Sequence, residues 1–139
     1  MREEVLHRRL VTYLLENKAY RNPDLRLKEI AGYLQTNTTY LSSLINQRYK
    51  MNFKTLLNRI RLEEAKQIMK ERTYEYFSIE KIYKSVGFRS KSVFNIVFKA
   101  ETGMTPSEYR ARIFDGPVNC ICNLPDDFNP FPLDKLLLV

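Results

Sequence analysis

Side chains suited to covalent, metal or acid–base chemistry are scarce in this chain and badly spaced for it. His7 is the sole histidine, and its surface-like place on the first predicted helix leaves no His-based triad or metal cluster to assemble. Cys120 and Cys122 supply two thiolates where a structural zinc site wants about four ligands, with no histidine nearby. Glu63 and Glu64 are adjacent on a helix and point about 100° apart, which does not pair two carboxyls for proton transfer. No glycine-rich phosphate loop is present. These residues speak against an enzyme, and neither a cofactor nor a metal site is expected.

Charge is the stronger signal. The 139 residues hold 23 Lys and Arg against 16 Asp and Glu, a net charge of +7. After Phe114 the chain has Asp115, Asp126, Asp127 and Asp134 against Lys135 alone, so this tail sums to −3 and the preceding 114 residues carry +10. Such an excess suits phosphate backbones, anionic membranes or acidic proteins as partners, or serves solubility alone. No stretch approaches the roughly 18 apolar residues of a membrane span, and the charged N-terminus does not read as a signal peptide. Both cysteines sit in the tail, so the body has no disulfide framework, which suits a reducing cytoplasm.

The elements that would carry this charge are helical. Before Phe114 only Pro23 and Pro106 occur, and 44% of the chain is apolar, enough for a packed core. Leu6, Leu10, Tyr13 and Leu14 form one stripe of a helix over about Glu3 to Lys18, and Asn22-Pro23-Asp24 marks a turn. A short helix from about Leu27 to Leu34 is broken by a polar run. Asn37 then caps a helix from about Thr38 to Arg48, which buries Leu41, Leu44 and Ile45 and leaves Thr39, Ser42, Ser43 and Asn46 outward. A longer helix spans about Phe53 to Glu71, and Arg72 to Phe77 reads as a connection. Ser78 opens a short helix that Gly87 ends; Ser90 caps another to about Glu101 that buries Phe94, Val97 and Phe98. Gly103 stops it, and Thr105-Pro106 starts the last helix.

The two halves repeat. Ile30-x3-Leu34, a polar turn, then Leu41, Leu44 and Ile45 match Ile82-x3-Val86, Gly-Phe-Arg-Ser, then Phe94, Val97 and Phe98. The offset is 52 residues before the turn and 53 after it, so the second turn holds one more residue. Two short helices joined by a tight turn form a helix-turn-helix, and two such units joined by one long helix is the economical reading. The expected fold is all-α with about seven helices: a first unit over about 3–52, a linker helix over about 53–71 and a second unit over about 78–114.

The segment from Gly87-Phe88-Arg89-Ser90 through Phe98-Lys99, followed by Thr102-Gly103-Met104-Thr105-Pro106-Ser107-Glu108-Tyr109-Arg110, resembles the second helix-turn-helix of the AraC/XylS family of transcription regulators. Ile30-Ala31, Tyr40-Leu41-Ser42 and Arg61-Leu62-Glu63-Glu64-Ala65 resemble that family's first unit and connecting helix. The resemblance covers about Val5 to Phe114. It implies sequence-specific binding of double-stranded DNA in the bacterial cytoplasm, with two recognition helices entering successive major grooves about one turn, ~34 Å, apart. It also implies a sensory or dimerising region, absent from this chain, and RNA polymerase as a further partner.

Carried over by position, the resemblance assigns Thr39, Ser42 and Ser43 of the first unit and Lys91, Ser92 and Asn95 of the second to base edges. Lys can donate to G O6 and N7, Asn can pair with A N6 and N7, and Ser or Thr can serve either role. Arg48, Arg89 and Lys99 are assigned to phosphates, which position without reading sequence. Ile96 departs from the pattern, since the family often has Arg there, although Ile can touch a thymine methyl. Tyr40 is equally able to pack or to reach a phosphate. Taken alone, polar residues on a helix face are usually just solvated; the order of the motifs is what gives these their weight.

The competing reading is a basic helical protein-interaction module that binds an acidic partner. A partner-binding helix should expose Leu, Met or aromatic anchors, and on the two candidate helices only Ile96 and Val93 answer that description. The tail over 115–139 reverses the charge, collects Pro117, Pro125, Pro130 and Pro132 and ends in Leu136-Leu137-Leu138-Val139. It is expected to be irregular, whether a native extension, a docking strand or a sequence added in cloning.

Overall fold

A computed structural model describes residues 3–71 and 76–115, with backbone only at the last two positions. It contains α1 (Glu3–Val11), α2 (Leu27–Tyr33), α3 (Thr38–Tyr49), α4 (Phe53–Lys70), α5 (Ile79–Val86), α6 (Lys91–Thr102) and α7 (Pro106–Asp115), and no strand among the described residues. Part of the connection expected over 72–77, and all of the tail after Asp115, lie outside the described residues.

Capping chemistry sets most boundaries. The side chains of Asn37, Ser78 and Ser90 each accept a backbone N–H three residues on, at 2.7, 3.0 and 3.2 Å. Asn52 does the same for α4 at 2.8 Å. Thr105 Oγ1 accepts the N–H of Glu108 at 3.2 Å, with Pro106 at the first helical position as expected. Gly87 and Gly103 both take positive φ, 108° and 77°, and end α5 and α6.

The first helix departs from the expected continuous run to Lys18. After Val11 it widens into a π-helical turn over Thr12–Glu16, in which Asn17 N–H reaches Thr12 O at 3.3 Å, and Lys18 then turns left-handed. The wider turn keeps Leu14 buried and Leu15 packed on the same core, and a 3-10 turn (Ala19–Arg21) brings the chain back across α4.

Two apolar cores result. The first joins Leu6, Leu10 and Leu14 to Ile30, Leu41 and Ile45; the second joins Ile82 and Val86 to Phe94, Phe98 and Tyr109. α4 belongs to both: Leu56, Leu57 and Ile60 face the first, and Leu62, Ala65 and Met69 the second. At about 1.5 Å per residue its 18 residues extend ~27 Å. Where it passes between the units, every residue from Ile60 to Lys66 is buried, charged ones included.

The two turns share one hydrogen-bond pattern. Thr36 N–H bonds Ala31 O at 2.9 Å and Gln35 N–H bonds Gly32 O at 3.2 Å, around a left-handed Gln35 (φ 58°). Phe88 N–H bonds Tyr83 O at 3.0 Å and Gly87 N–H bonds Lys84 O at 3.3 Å, around the left-handed Gly87. Both are Schellman motifs. The extra residue of the second turn falls between its left-handed residue and its N-cap, and it brings Phe88 into the second core, 5.1 Å from the Phe94 ring.

Candidate nucleic-acid interface

The candidate reading surfaces are the outward faces of α3 and α6. At about 100° per residue, Thr39, Ser43 and Asn46 share the middle of the α3 face, with Ser42 on its flank. Thr39 and Ser43 are exposed and Ser42 is half-buried; its carbonyl accepts from Asn46 Nδ2 at 2.9 Å. Leu41, Leu44 and Ile45 fix this orientation by filling the core behind. Tyr40 is exposed rather than packed. Asn46 stands exposed beside Thr39 and Ser43 although the family pattern assigned it no role; its side-chain amide carries both donor and acceptor atoms, and one N–H is held by Ser42 O.

On α6, Lys91 and Ser92 are exposed and Asn95 is half-buried, while Phe94 and Phe98 are fully buried beneath them. The ring of Phe98 packs edge-on against Phe94 at 5.5 Å and against Tyr109 at 5.1 Å, so aromatic contacts hold this helix. Arg59 of α4 ties it further through an ion pair with Glu101 at 3.0 Å.

The three candidate phosphate cations differ in setting. Lys99 is exposed on the outward face of α6. Arg89 is exposed and forms an ion pair with Asp24 of the first unit. Arg48 is half-buried at the end of α3, with Glu3 Oε1 at 3.6 Å from its Nε. Arg89 also borders a cleft of about 520 Å³ between the units, together with Arg26, Lys54 and Arg61.

What holds the units together lies in polar residues that the sequence reading missed. Arg61, 7% exposed, donates from Nε to Tyr20 O at 2.7 Å and from Nη2 to Asn22 O at 2.8 Å. Burial pulls its guanidinium down to about 10. Glu64 takes a two-pronged pair from Arg21 (Nε to Oε1 at 2.8 Å, Nη2 to Oε2 at 2.6 Å) and accepts the Tyr20 hydroxyl at 2.7 Å. Desolvation pushes the Glu64 carboxyl up, but the hydrogen bonds and charge of Arg21 with the Tyr20 bond outweigh it and hold the group below its ordinary value. A Cβ on Gly87 would lie 2.5 Å from Tyr20 O and 2.8 Å from Arg61 Nε, so the second turn sits directly on this bracket.

His7 corrects the sequence reading. It is not at the surface but 6% exposed in the first core, sharing a 2.5 Å hydrogen bond with the Tyr49 hydroxyl. Burial, then the charge of Arg48, lowers its pKa from the usual 6.5, with Glu3 opposing. Its burial follows from its helical position beside Leu6, Leu10 and Val11 and from a partner 42 residues away. Among the described residues no three His, Cys, Asp or Glu side chains group to hold a metal ion, and no helix is long and apolar enough to cross a membrane.

Comparison with known proteins agrees with this geometry. A helix-turn-helix domain family matches residues 23–112. The chain is 39% identical over 93 residues to the uncharacterized transcriptional regulatory protein YesN of Bacillus subtilis, covering 66% of this chain and 25% of that protein. It is 30% identical over 95 residues to the regulatory protein PocR of Salmonella typhimurium, covering 68% and 30%. It therefore spans about a quarter to a third of the length of these relatives. Among solved structures, the C-terminal domain of AraT, a response regulator from Geobacillus stearothermophilus, superposes with TM-score 0.66 at 30% identity, covering 76% of this chain and 83% of that one. A DNA-binding transcriptional dual regulator from Escherichia coli K-12 gives TM-score 0.66 at 27% identity over 79% and 93%.

Proposed function

The chain belongs to the AraC/XylS-type helix-turn-helix family, and from that membership we propose that it binds duplex DNA sequence-specifically and regulates transcription. The observation that carries the reading is the pair of outward polar faces, on α3 and α6, mounted on one unbroken helix. Each enters a major groove on the same side of the duplex, one turn or ~34 Å from the other. Thr39, Ser42 and Ser43 read base edges in one groove, and Lys91, Ser92 and Asn95 in the next. The larger donors of the second helix make it the more discriminating reader, since Lys and Asn match guanine and adenine edges directly.

Arg48, Arg89 and Lys99 bind phosphates. The Arg89–Asp24 pair joins two well-exposed side chains, so it is weak and exchanges readily for a phosphate oxygen. Residues over about 3–52 and 78–114 act as the two binding units, with the helix between them as spacer, and no catalytic activity is assigned to them. A sensory or dimerising region elsewhere in the full regulator and contact with RNA polymerase complete its action, in the cytoplasm.

The test is selection from random ~30-base-pair duplexes at near-physiological salt, followed by a salt titration. The expected product is an asymmetric site with two elements about one turn apart. With about six phosphates neutralised, log K falls with log salt at a slope near −5. One enriched element alone would reduce the first unit to a backbone grip. No enrichment, with little binding at low salt, would overturn the DNA reading.

A further inference from the structure

The polar pattern of the α6 face is interrupted at its centre. Ser92, Ile96 and Lys99 align along the middle of the exposed side, with Asn95 on one flank and Val93 on the other, towards the cleft between the units. Ile96 leaves 69% of its surface exposed and Val93 43%. Neither belongs to the second core, to which this helix contributes Phe94, Phe98 and, at its margin, Val97. β-Branched residues also lower helix propensity, so nothing local favours them here. The middle of the matching α3 face carries Thr39, Ser43 and Asn46 and no aliphatic side chain.

A scattered exposed aliphatic needs no explanation. These two are distinguished by position: Val93 lies within a turn of Lys91, Ser92 and Asn95, and Ile96 within a turn of Asn95 and Lys99, on the helix assigned to a major groove. In that groove the apolar group on a base-pair edge is the C5-methyl of thymine. We propose that Ile96, with Val93 beside it, reads a thymine methyl in the second element of the binding site. Lys91 and Lys99 favour this partner over an apolar protein surface, since their charges match a guanine edge and a phosphate and would be stranded in a dry interface. The inference rests on the DNA reading above and adds apolar discrimination to the hydrogen bonds of Lys91, Ser92 and Asn95.

The experiment takes the selected duplex and replaces each thymine of the second element, one at a time, by deoxyuridine, which keeps every hydrogen-bonding edge and deletes only the methyl. At one or two positions affinity for the unaltered protein should fall about fourfold, the worth of one buried methyl-sized group. Ile96→Ala should lose a similar factor on the thymine duplex and show no further loss on the uracil duplex. Because Ile96 is exposed and Ala is the better helix former, the variant keeps its fold, as an unchanged melting curve would verify. Equal uracil sensitivity in both proteins, no sensitivity at any position, or unchanged affinity in Ile96→Ala would each overturn the proposal. Uniform binding of all duplexes would instead overturn the DNA reading itself, and this inference with it.

Discussion

The turn between α2 and α3 and the turn between α5 and α6 close with the same Schellman hydrogen bonds, yet one carries Gln35 and the other Gly87 at the left-handed position. A left-handed conformation costs an L-residue about 1–2 kcal/mol wherever it occurs. Gln35 bears that cost because its side chain stands in solvent. Gly87 has no room for a side chain, with Tyr20 O and Arg61 Nε where a Cβ would be. The local geometry is common to both turns; the difference comes from what lies against them. The first turn faces water, and the second is the joint between the units.

Substitution at these two positions should separate the two cases most widely. Gly87→Ala combines left-handed strain with a backbone clash and should destabilise by about 2–5 kcal/mol in urea unfolding. Gln35→Gly exchanges relief of strain for extra backbone entropy and should stay within about 0.5 kcal/mol. A loss under about 1 kcal/mol for Gly87→Ala would mean that the joint yields.

The reading helices should differ next. Lys91→Ala or Asn95→Ala should cost about 1–3 kcal/mol of DNA affinity and relax preference at one base pair, measured by titration against the selected site and its single-base variants. Uniform weakening over all sequences would demote either residue to a backbone contact. In the first unit Thr39→Ala or Ser43→Ala, each removing one adaptable hydroxyl, should cost under about 1 kcal/mol. A larger effect there would reverse the ranking of the two helices.

The smallest difference expected is in pH response, and it belongs to the first unit, which holds the sole histidine. Burial and Arg48 keep folded His7 neutral to below 6.5, whereas the unfolded chain takes its proton near that value. The unfolded state therefore binds more protons in this window, so stability is full above about pH 6.5 and declines as pH falls towards the folded pKa. Unfolding at about pH 8 and about pH 5.5 should show this decline in the native protein and its loss in His7→Gln. An unchanged slope in the variant would assign the effect to other groups.

The repeat, the caps at Asn37, Ser78 and Ser90, the glycines that end α5 and α6 and the aromatic core of the second unit were legible in the sequence, because each is a local pattern of spacing or turn chemistry. His7, Arg61 and Glu64 were not. A polar residue on a helix reads as solvated until its partner is known, and their partners Tyr49, Tyr20, Arg21 and Asn22 lie 39–44 residues away. The π-helical turn was equally hidden, since Thr12–Glu16 carries no breaker and only tertiary packing of Leu14 and Leu15 distinguishes it. Among the base-edge candidates, Thr39, Ser43, Lys91 and Ser92 are exposed as their helical positions predict, whereas Ser42 and Asn95 are half-buried, which depends on neighbouring side chains and not on spacing alone.

The long helix α4 contains neither glycine nor proline and contributes to both cores without a break. A reader mounted this way behaves as a gauge of fixed length. One base pair inserted between the two elements would displace the second by ~3.4 Å and rotate it by about a tenth of a turn, which a stiff spacer cannot follow. If the two faces read DNA as proposed, gain or loss of one base pair between the elements should cost more affinity than exchange of a single base within either, so the spacing of such sites should be held more tightly than any one of their letters.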